Sequence, residues 1–479
     1  MTTKSNPLQL LPAFDRKKIM KPFTPADSAA TPNQDASDDE VAAFLAAHQD
    51  IETVEYLLPD INGAFRGKWA PAASLKKVFS DGMPLPMSIF GLDVWGREVE
   101  ETGLHIDTGD KDGFCFPIPG SLKRVTWAQR PTAQVLVNMC EADRTPFHLD
   151  PRHVLQRVLD RYHAKGLTPV VAFELEFYLL SEQEASSRQM RAGLRDEPDR
   201  QRMYSLSELD SLEDIFGDIR EAALAQELPI DTIISEAGPG QFEVNLLHKS
   251  DAMAAADDAL LLRRAIAGVA RRHGLRATFM AKPFTDAPGN GMHVHSSIID
   301  AAGQNIFSHG DQAEANHMAA IAGMLTTLPQ ALPLFINTFN GFRRLSPGSY
   351  APTRAIWGYD NRSVAIRVPV SGPAARRVEH RISGADAHPH LVAAAMLAGM
   401  LHGIELRLDA PPPTEGNAYN NNAGALTNDL GEALDHFAAS DFVADYLGEE
   451  FRRVFGQVKL TELIVFESRI TRLEYDTYL

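Results

Sequence analysis

The sequence predicts an α+β protein of two domains, a small β-rich one followed by a larger one whose strands carry charged side chains in pairs. Three observations carry that expectation. Glu174 and Glu176 stand at i and i+2 inside the apolar run VVAFELEFYLL, and a strand puts such positions on one face with Phe173, Leu175 and Phe177 on the other. Asn62-Gly63 joins two strand-like runs in ETVEYLLPDINGAFRGKW, which is a strong hairpin signal. Asp150 and Pro151 open PRHVLQRVLDRYHAKG as N-cap and first helical residue, and Gly166 is its stop.

Taken in chain order, residues 1–36 are rich in Pro, Thr, Ser, Ala and Asp and are expected to be a disordered tail. Ser37 and Glu40 form a capping-box pattern ahead of Val41, Phe44 and Leu45, so order is expected from Ser37. The hairpin and further short strands to about Asp143 make a first domain of residues 37–145. From residue 146 to 479 helices alternate with the strands that bear the polar pairs. AMAAADDALLLRRAIAGVARRHG leads into ATFMAKPF, and HLVAAAMLAGMLHGIELRL follows the strand RRVEHR.

Composition narrows the class. With 479 residues, 44% hydrophobic and 23% charged, the chain is ordinary globular protein with room for two or three domains. The sequence shows no signal-peptide pattern and no apolar run of transmembrane length. Two cysteines, Cys115 and Cys140, exclude a disulfide framework and read as cytosolic. A net charge of −17 argues against nucleic acid, which needs a basic surface, and agrees with a cationic substrate.

The polar pairs read as chemistry. Besides Glu174 and Glu176 there are Glu236 and Glu243 in SEAGPGQFEVN, His293 and His295 in GNGMHVHSS, and Arg377, Glu379 and Arg381 in RRVEHR. Singly, each is commonplace: a Glu-x-Glu strand is usually a solvated sheet face, and an Arg-x-Glu-x-Arg strand an ion-pair ladder. Together, Glu174, Glu176, Glu236, Glu243, Glu379 and His293 are enough for two divalent-cation sites, because unpaired carboxylates are costly to bury and Mg²⁺ prefers hard oxygens. Arg344, Arg362, Arg367, Arg377 and Arg381 are a matching set of guanidinium forks for phosphate and carboxylate. Metals beside arginines point to phosphoryl transfer, and no Walker or kinase-type glycine loop is present to hold the nucleotide.

The motifs FELEFYLL, EAGPGQFEVN, KPFTDAPGNGMHVHSS, FRRLSPGSYAP, DNRSVAIRVP and ARRVEHR, in this order, resemble the glutamine synthetase family from about Ser37 to the end. The resemblance implies an N-terminal β-grasp domain and a C-terminal catalytic domain with an antiparallel strand face. It also implies a homo-oligomer of two stacked hexameric rings, a dodecamer, with each active site between neighbouring subunits. By the same resemblance Glu176, Glu236 and Glu243 hold a first Mg²⁺ or Mn²⁺, and Glu174, His293 and Glu379 a second. His295, Arg362, Arg367 and Arg377 contact ATP, the co-substrate. Gly289, Arg344 and Arg381 hold glutamate, and Arg344, Arg362 and Arg367 are the catalytic arginines. The implied reaction is a cytoplasmic ligation through γ-glutamyl phosphate.

Departures from the family pattern bear on the amine. Ammonia users continue the proline-glycine loop as Tyr-Glu-Ala-Pro, whereas this chain reads Ser349-Tyr350-Ala351-Pro352. Their Asp-Gly-Ser-Ser segment is replaced by LPMSIFGLDVWG. Both changes remove acids that recognise ammonium and leave room for a larger amine, and PGSYAP followed by WGYDNRS resembles the γ-glutamylpolyamine synthetase branch. Tyr350 and Trp357 are then candidate walls for the methylenes, and Asp93, Glu98 or Glu100 of an adjacent subunit candidate partners for the distant ammonium. Ala374 and Pro288 stand where relatives carry lysine and asparagine, and Tyr419 is expected to be a loop residue. The alternatives are a ligase for ammonia or a monoamine such as ethanolamine or methylamine, and a non-catalytic relative.

Overall fold

In the computed structural model, which describes residues 34–181 and 203–479, two sheets occupy separate stretches of the chain. Residues 1–33 of the expected tail lie outside the described residues. A helix runs Gln34–Ala47, so the position of Ser37 is inside it and not at its cap.

The first sheet comprises β1 (Thr53–Pro59), β2 (Phe65–Pro71), β3 (Met83–Pro86), β4 (Asp112–Pro117), β5 (Lys123–Arg124) and β6 (Thr132–Cys140), in the order β2-β1-β6-β4-β3 with β5 on β6. β1 and β6 are parallel and the remaining pairs antiparallel. The predicted hairpin is β1–β2, with Pro59 opposite Phe65, so its loop runs through residues 60–64. Asp60, fully buried, explains the longer loop. Its carboxylate accepts the N–H groups of Asn62 and Ala64 at 2.8 and 3.0 Å and Arg66 Nε at 2.8 Å, as Asx-type turns do.

The helix Pro151–His163 joins the two halves. Its N-cap Asp150 accepts from Arg152 N–H at 2.9 Å and from Met139 N–H of β6 at 2.8 Å, so one carboxylate both starts the helix and fixes it to the first sheet.

The second sheet comprises β7 (Leu167–Ser181), β8 (Ile230–Ser235), β9 (Gln241–Leu246), β10 (Leu275–Thr278), β11 (Met292–Asp300), β12 (Trp357–Tyr359), β13 (Ile366–Val368) and β14 (Val378–His380). The order is β12-β13-β14-β11-β7-β9-β8, with β10 on the far end of β7. Every pair is antiparallel except β12–β13. Helices Ala252–Arg272, Ala313–Phe335 and Pro389–Leu406 supply the layer that joins its apolar side in one core.

Two of these helices correct the reading of no membrane-length run. Ala313–Phe335 and Pro389–Leu406 are long and apolar enough to cross a membrane, yet 78% of the most apolar 18-residue stretch of each is buried inside the protein. They touch through glycine. A Cβ on Gly403 would lie 1.9 Å from the Ala319 carbonyl and 2.7 Å from Gly323 N, so only hydrogen lets the backbones meet. The apolar character of both helices serves this contact and the core.

Candidate functional site

β7 is the spine of the site. Val171, Phe173, Leu175, Phe177 and Leu179 are all at 0% exposure in the main core, and the alternating residues Glu174 and Glu176 therefore project from the opposite face. The neighbouring strands are in register with that face. β11 places His293 opposite Glu174, and β9 places Glu243 opposite Glu176. β14 sets Glu379 opposite His295, and β13 sets Arg367 opposite Glu379. Directly opposed residues share a side of the sheet, so five strands build one polar face from residues dispersed along the chain from Glu174 to Glu379.

Hydrogen bonds tie this face together. His295 Nε2 donates to Glu174 Oε1 at 2.9 Å, because its Nδ1 accepts from Arg377 Nε at 3.2 Å. His293 Nδ1 lies 3.3 Å from Glu174 Oε2, and its Nε2 lies 3.9 Å from Glu176 Oε1. Gly291 N–H donates to Glu176 Oε2 at 2.6 Å. Arg367 Nη1 donates to Glu379 Oε2 at 2.8 Å, and Arg381 Nη1 takes its other oxygen.

The carboxylates fall into two electrostatic classes. Burial opposes ionisation of Glu174, but hydrogen bonds from His293 and His295 outweigh it and hold the carboxyl well below its ordinary value. Burial likewise works against Glu379, yet Arg381 and the two histidines bring it down to about 2. Glu243 goes the other way: burial and the charges of Glu174, Glu176 and Glu236 push it well above the usual range. Glu236 is raised to about 7 by burial and by Glu176. Repulsion among buried acids is relieved by a cation.

A hard divalent ion fits this donor set. Glu174, Glu243 and His293 each offer a ligand atom, all within 4.8 Å of one another, and so do Glu174, His295 and Glu379. Glu174 is shared by both groups. Glu176 flanks them through His293, and Glu236 is close enough to Glu176 to feel its charge.

Loops bring the remaining residues. Arg344, 5% exposed, donates from Nη1 to the Ile382 carbonyl at 2.8 Å. Arg381 Nε donates to the Arg362 carbonyl at 3.2 Å, while the Arg362 side chain is exposed and its charge reaches Glu236. The Gly289 carbonyl accepts from Gln241 Nε2 at 3.0 Å, and the Pro288 carbonyl from Tyr178 Oη at 2.8 Å. Tyr350 is 64% exposed with φ +58°, a ring held outward at the tip of the loop that leaves Arg344. Tyr419 Oη donates to the Ala351 carbonyl at 3.0 Å, which pins that loop from beneath.

Several other candidates have structural partners of their own. Trp357 is 2% exposed and its indole N–H donates to the Pro411 carbonyl at 2.7 Å. Asp93 is 1% exposed, and its carboxylate accepts from Trp95 N–H, Arg97 N–H and Arg97 Nε. Glu98 and Glu100 are exposed. Three residues at the site are not among those the sequence singles out: Asn245, opposite Glu174 on β9; Gly291, bonded to Glu176; and His248, whose ring centroid is 5.9 Å from His295. Asn245 lies at i+2 from Glu243, so the alternation rule contains it.

The chain has counterparts among known proteins. The glutamine synthetase catalytic-domain model matches residues 148–478. The chain is 39% identical over 442 residues to gamma-glutamylputrescine synthetase PuuA of Escherichia coli (strain K12), covering 91% of this chain and 93% of that protein. It is 33% identical over 451 residues to glutamate–isopropylamine ligase of Pseudomonas sp, covering 92% and 97%. The solved GmaS/ADP complex superposes with a TM-score of 0.79 at 26% identity, over 91% of this chain and 99% of that one. A family match that takes in every strand of the polar face, together with near full-length relatives, places this chain in the glutamine synthetase family.

Proposed function

We propose that the chain is an ATP-dependent ligase that joins L-glutamate to a primary amine larger than ammonia, with putrescine or a longer polyamine as its substrate. The observation that carries the choice of amine is Tyr350. An exposed aromatic ring stands where ammonia users of the family carry a carboxylate, beside an otherwise complete set of acids and arginines. Similarity to gamma-glutamylputrescine synthetase supports the same choice. A monoamine is the second reading, favoured by the similarity to glutamate–isopropylamine ligase.

In this reading Glu176, Glu236 and Glu243 would hold one Mg²⁺ or Mn²⁺, and Glu174, His293 and Glu379 another, and the spacing that puts Glu174 within reach of Glu243 as well as of Glu379 supports two neighbouring ions. Such an ion, when bound, neutralises the phosphate oxygens of ATP. The chain's own residues orient the reactants. Arg362, Arg367, Arg377 and His295 face the nucleotide, and Arg344 and Arg381 meet the glutamate carboxylates near Gly289. The side-chain carboxylate of glutamate attacks the γ-phosphorus, ADP leaves, and the amine nitrogen then displaces phosphate to form the amide. The N-terminal residues 37–145 form the β-grasp domain and residues 146–479 the catalytic domain of a cytoplasmic double-ring oligomer, the neighbour's first domain closing each site.

Phosphate release with glutamate, ATP and a panel of ammonium, methylamine, ethanolamine, putrescine and spermidine tests this. The highest kcat/KM is expected with putrescine or spermidine. Ammonium as the best amine overturns the proposal, and turnover with none of them points to a binding protein.

A further inference from the structure

A cavity of about 840 Å³ lies between the first sheet and the helix Ala252–Arg272. That helix packs in the core behind β7, so the cavity is on the opposite side of the second sheet from the acids described above. Its lining is the reverse in charge. Seven basic residues surround it and one acid, Glu55, in a chain whose net charge is −17. Glu55 is already spent on Arg264.

The basic groups divide into anchored and available ones. Arg66 is paired with Asp60, and Lys68 donates to the Pro84 carbonyl. Arg130 and Arg271 are exposed and have no ion-pair partner among the described residues. Arg263 is the most informative. Its Nη1 donates to the carbonyls of Ala385 and Ala387 at 2.9 and 3.0 Å, whereas its Nη2 is buried without a partner among the described residues. A buried guanidinium N–H left unbonded is costly unless a ligand takes it. Burial, with a smaller contribution from the Arg271 charge, holds the Arg264 guanidinium below its ordinary value in spite of Glu55.

An aromatic surface accompanies the charge. Trp127 lies against Gly268 so closely that a Cβ there would be 2.2 Å from the indole, and Trp69, 77% exposed, stands at the rim. Guanidinium forks suit phosphate oxygens and indole faces suit a planar base, and the volume falls in the range of small-ligand pockets. We propose that this cavity is a second, non-catalytic binding site for a small polyanion bearing an aromatic ring, of the nucleoside diphosphate class.

The test titrates ADP into the Mg²⁺-loaded protein by calorimetry, comparing wild type with Arg130→Ala/Arg271→Ala. Both side chains are exposed, so the fold is expected to persist, and neither belongs to the catalytic face, so the KM for ATP is expected to stay unchanged. Wild type should show two classes of ADP site, and the double variant should lose affinity in one class by about tenfold or more, as for removal of charge-assisted contacts. Trp127→Phe should abolish the ADP-dependent quenching of fluorescence that belongs to that class. A single class in wild type, or a second class untouched by the double substitution, overturns the proposal. A change of oligomeric state in the double variant, with no change in ADP binding, also overturns it and assigns the basic surface to a neighbouring copy.

Discussion

The two halves of the site are built differently. The half proposed to hold metal stands on strands: Glu174, Glu176, Glu243, His293, His295 and Glu379 are placed by sheet register, each with an apolar neighbour locked in the core behind it. The half proposed to face substrate stands on loops: Arg344, Tyr350 and Arg362 are set by turns and by a few bonds to backbone carbonyls. The strand half cannot adjust without unpairing the sheet, whereas the loop half can change one residue and leave the rest in place. That division allows one phosphoryl-transfer platform to serve different amines, as the names of the relatives attest.

The largest break should come from Glu174, the acid shared by both groups of ligands. Glu174→Ala is expected to lower kcat about a thousandfold or more, roughly 4 kcal/mol of barrier, with an unchanged circular dichroism spectrum. Steady-state phosphate release and Mn²⁺ binding measured together check it. Retention of more than about a tenth of the activity, a barrier change of under roughly 1.4 kcal/mol, would remove Glu174 from the centre of the site.

Leu175 sharpens the claim that the strand half depends on what lies behind it. It is fully buried, and truncation to alanine leaves a cavity that cannot collapse against paired strands. Leu175→Ala is expected to cost about 3 kcal/mol of stability, read from the midpoint of urea unfolding. The loop residue Tyr350, 64% exposed, should cost almost nothing on the same measurement.

The same contrast decides what is legible in the sequence. Strand acids announce themselves because side chains alternate with period two, so Glu174 with Glu176, and His293 with His295, stand out as same-face pairs from their spacing alone. Which strands pair is not visible there, since register is set by long-range contacts; hence spacing does not reveal that Glu174 stands between two ligand groups. Asn245 shows the rule applied too sparingly, because it shares the face of Glu243. The loop residues carry no periodicity: Arg344 and Arg362 are singled out by guanidinium chemistry alone, and Tyr350 only by family resemblance. The hairpin is legible from Asn62-Gly63, but its longer loop, residues 60–64, reflects the buried carboxylate of Asp60. The helix Ala313–Phe335 contains Pro329 and Pro333, which propensity counts against a helix, and its burial in the core sustains it.

Histidines separate the regions further. His293 and His295 on the polar face are bonded to Glu174, whereas His317 in the helical layer is fully buried with neither ring nitrogen bonded among the described residues. Burial, with the charge of Arg376, pushes its imidazolium down to about 3. The folded value lies below the unfolded one of 6.5, so the unfolded chain binds the extra proton and stability is lost as pH falls from about 6.5 towards about 3. At about pH 5 the loss from this group is about 2 kcal/mol. Thermal unfolding of wild type and His317→Leu at about pH 7.5 and about pH 5 should show the smaller acid loss in the variant. An identical loss in both would mean that His317 is protonated in the fold.

The smallest effect is expected at Tyr350, where the comparison has its most direct functional consequence. Its ring projects from a loop held by the Ser349 hydroxyl on the Ser346 carbonyl at 2.6 Å and by the Tyr419 hydroxyl on Ala351. Its backbone, at φ +58°, is set by those bonds and not by its side chain. A carboxylate introduced there would offer ammonium an anionic partner and remove an apolar wall for methylenes. Tyr350→Glu is therefore expected to shift the ratio of kcat/KM for ammonium over putrescine by about tenfold, the worth of one partly exposed charged contact of roughly 1.4 kcal/mol. The KM for ATP should not move, because in the proposed assignment Tyr350 is not among the residues that face the nucleotide. Tyr350→Phe should leave the amine ratio where it was, since the wall is kept and only the hydroxyl is lost. If Tyr350→Glu changed the KM for ATP as much as the amine ratio, the two halves would be coupled and the division of labour between strand and loop would fail.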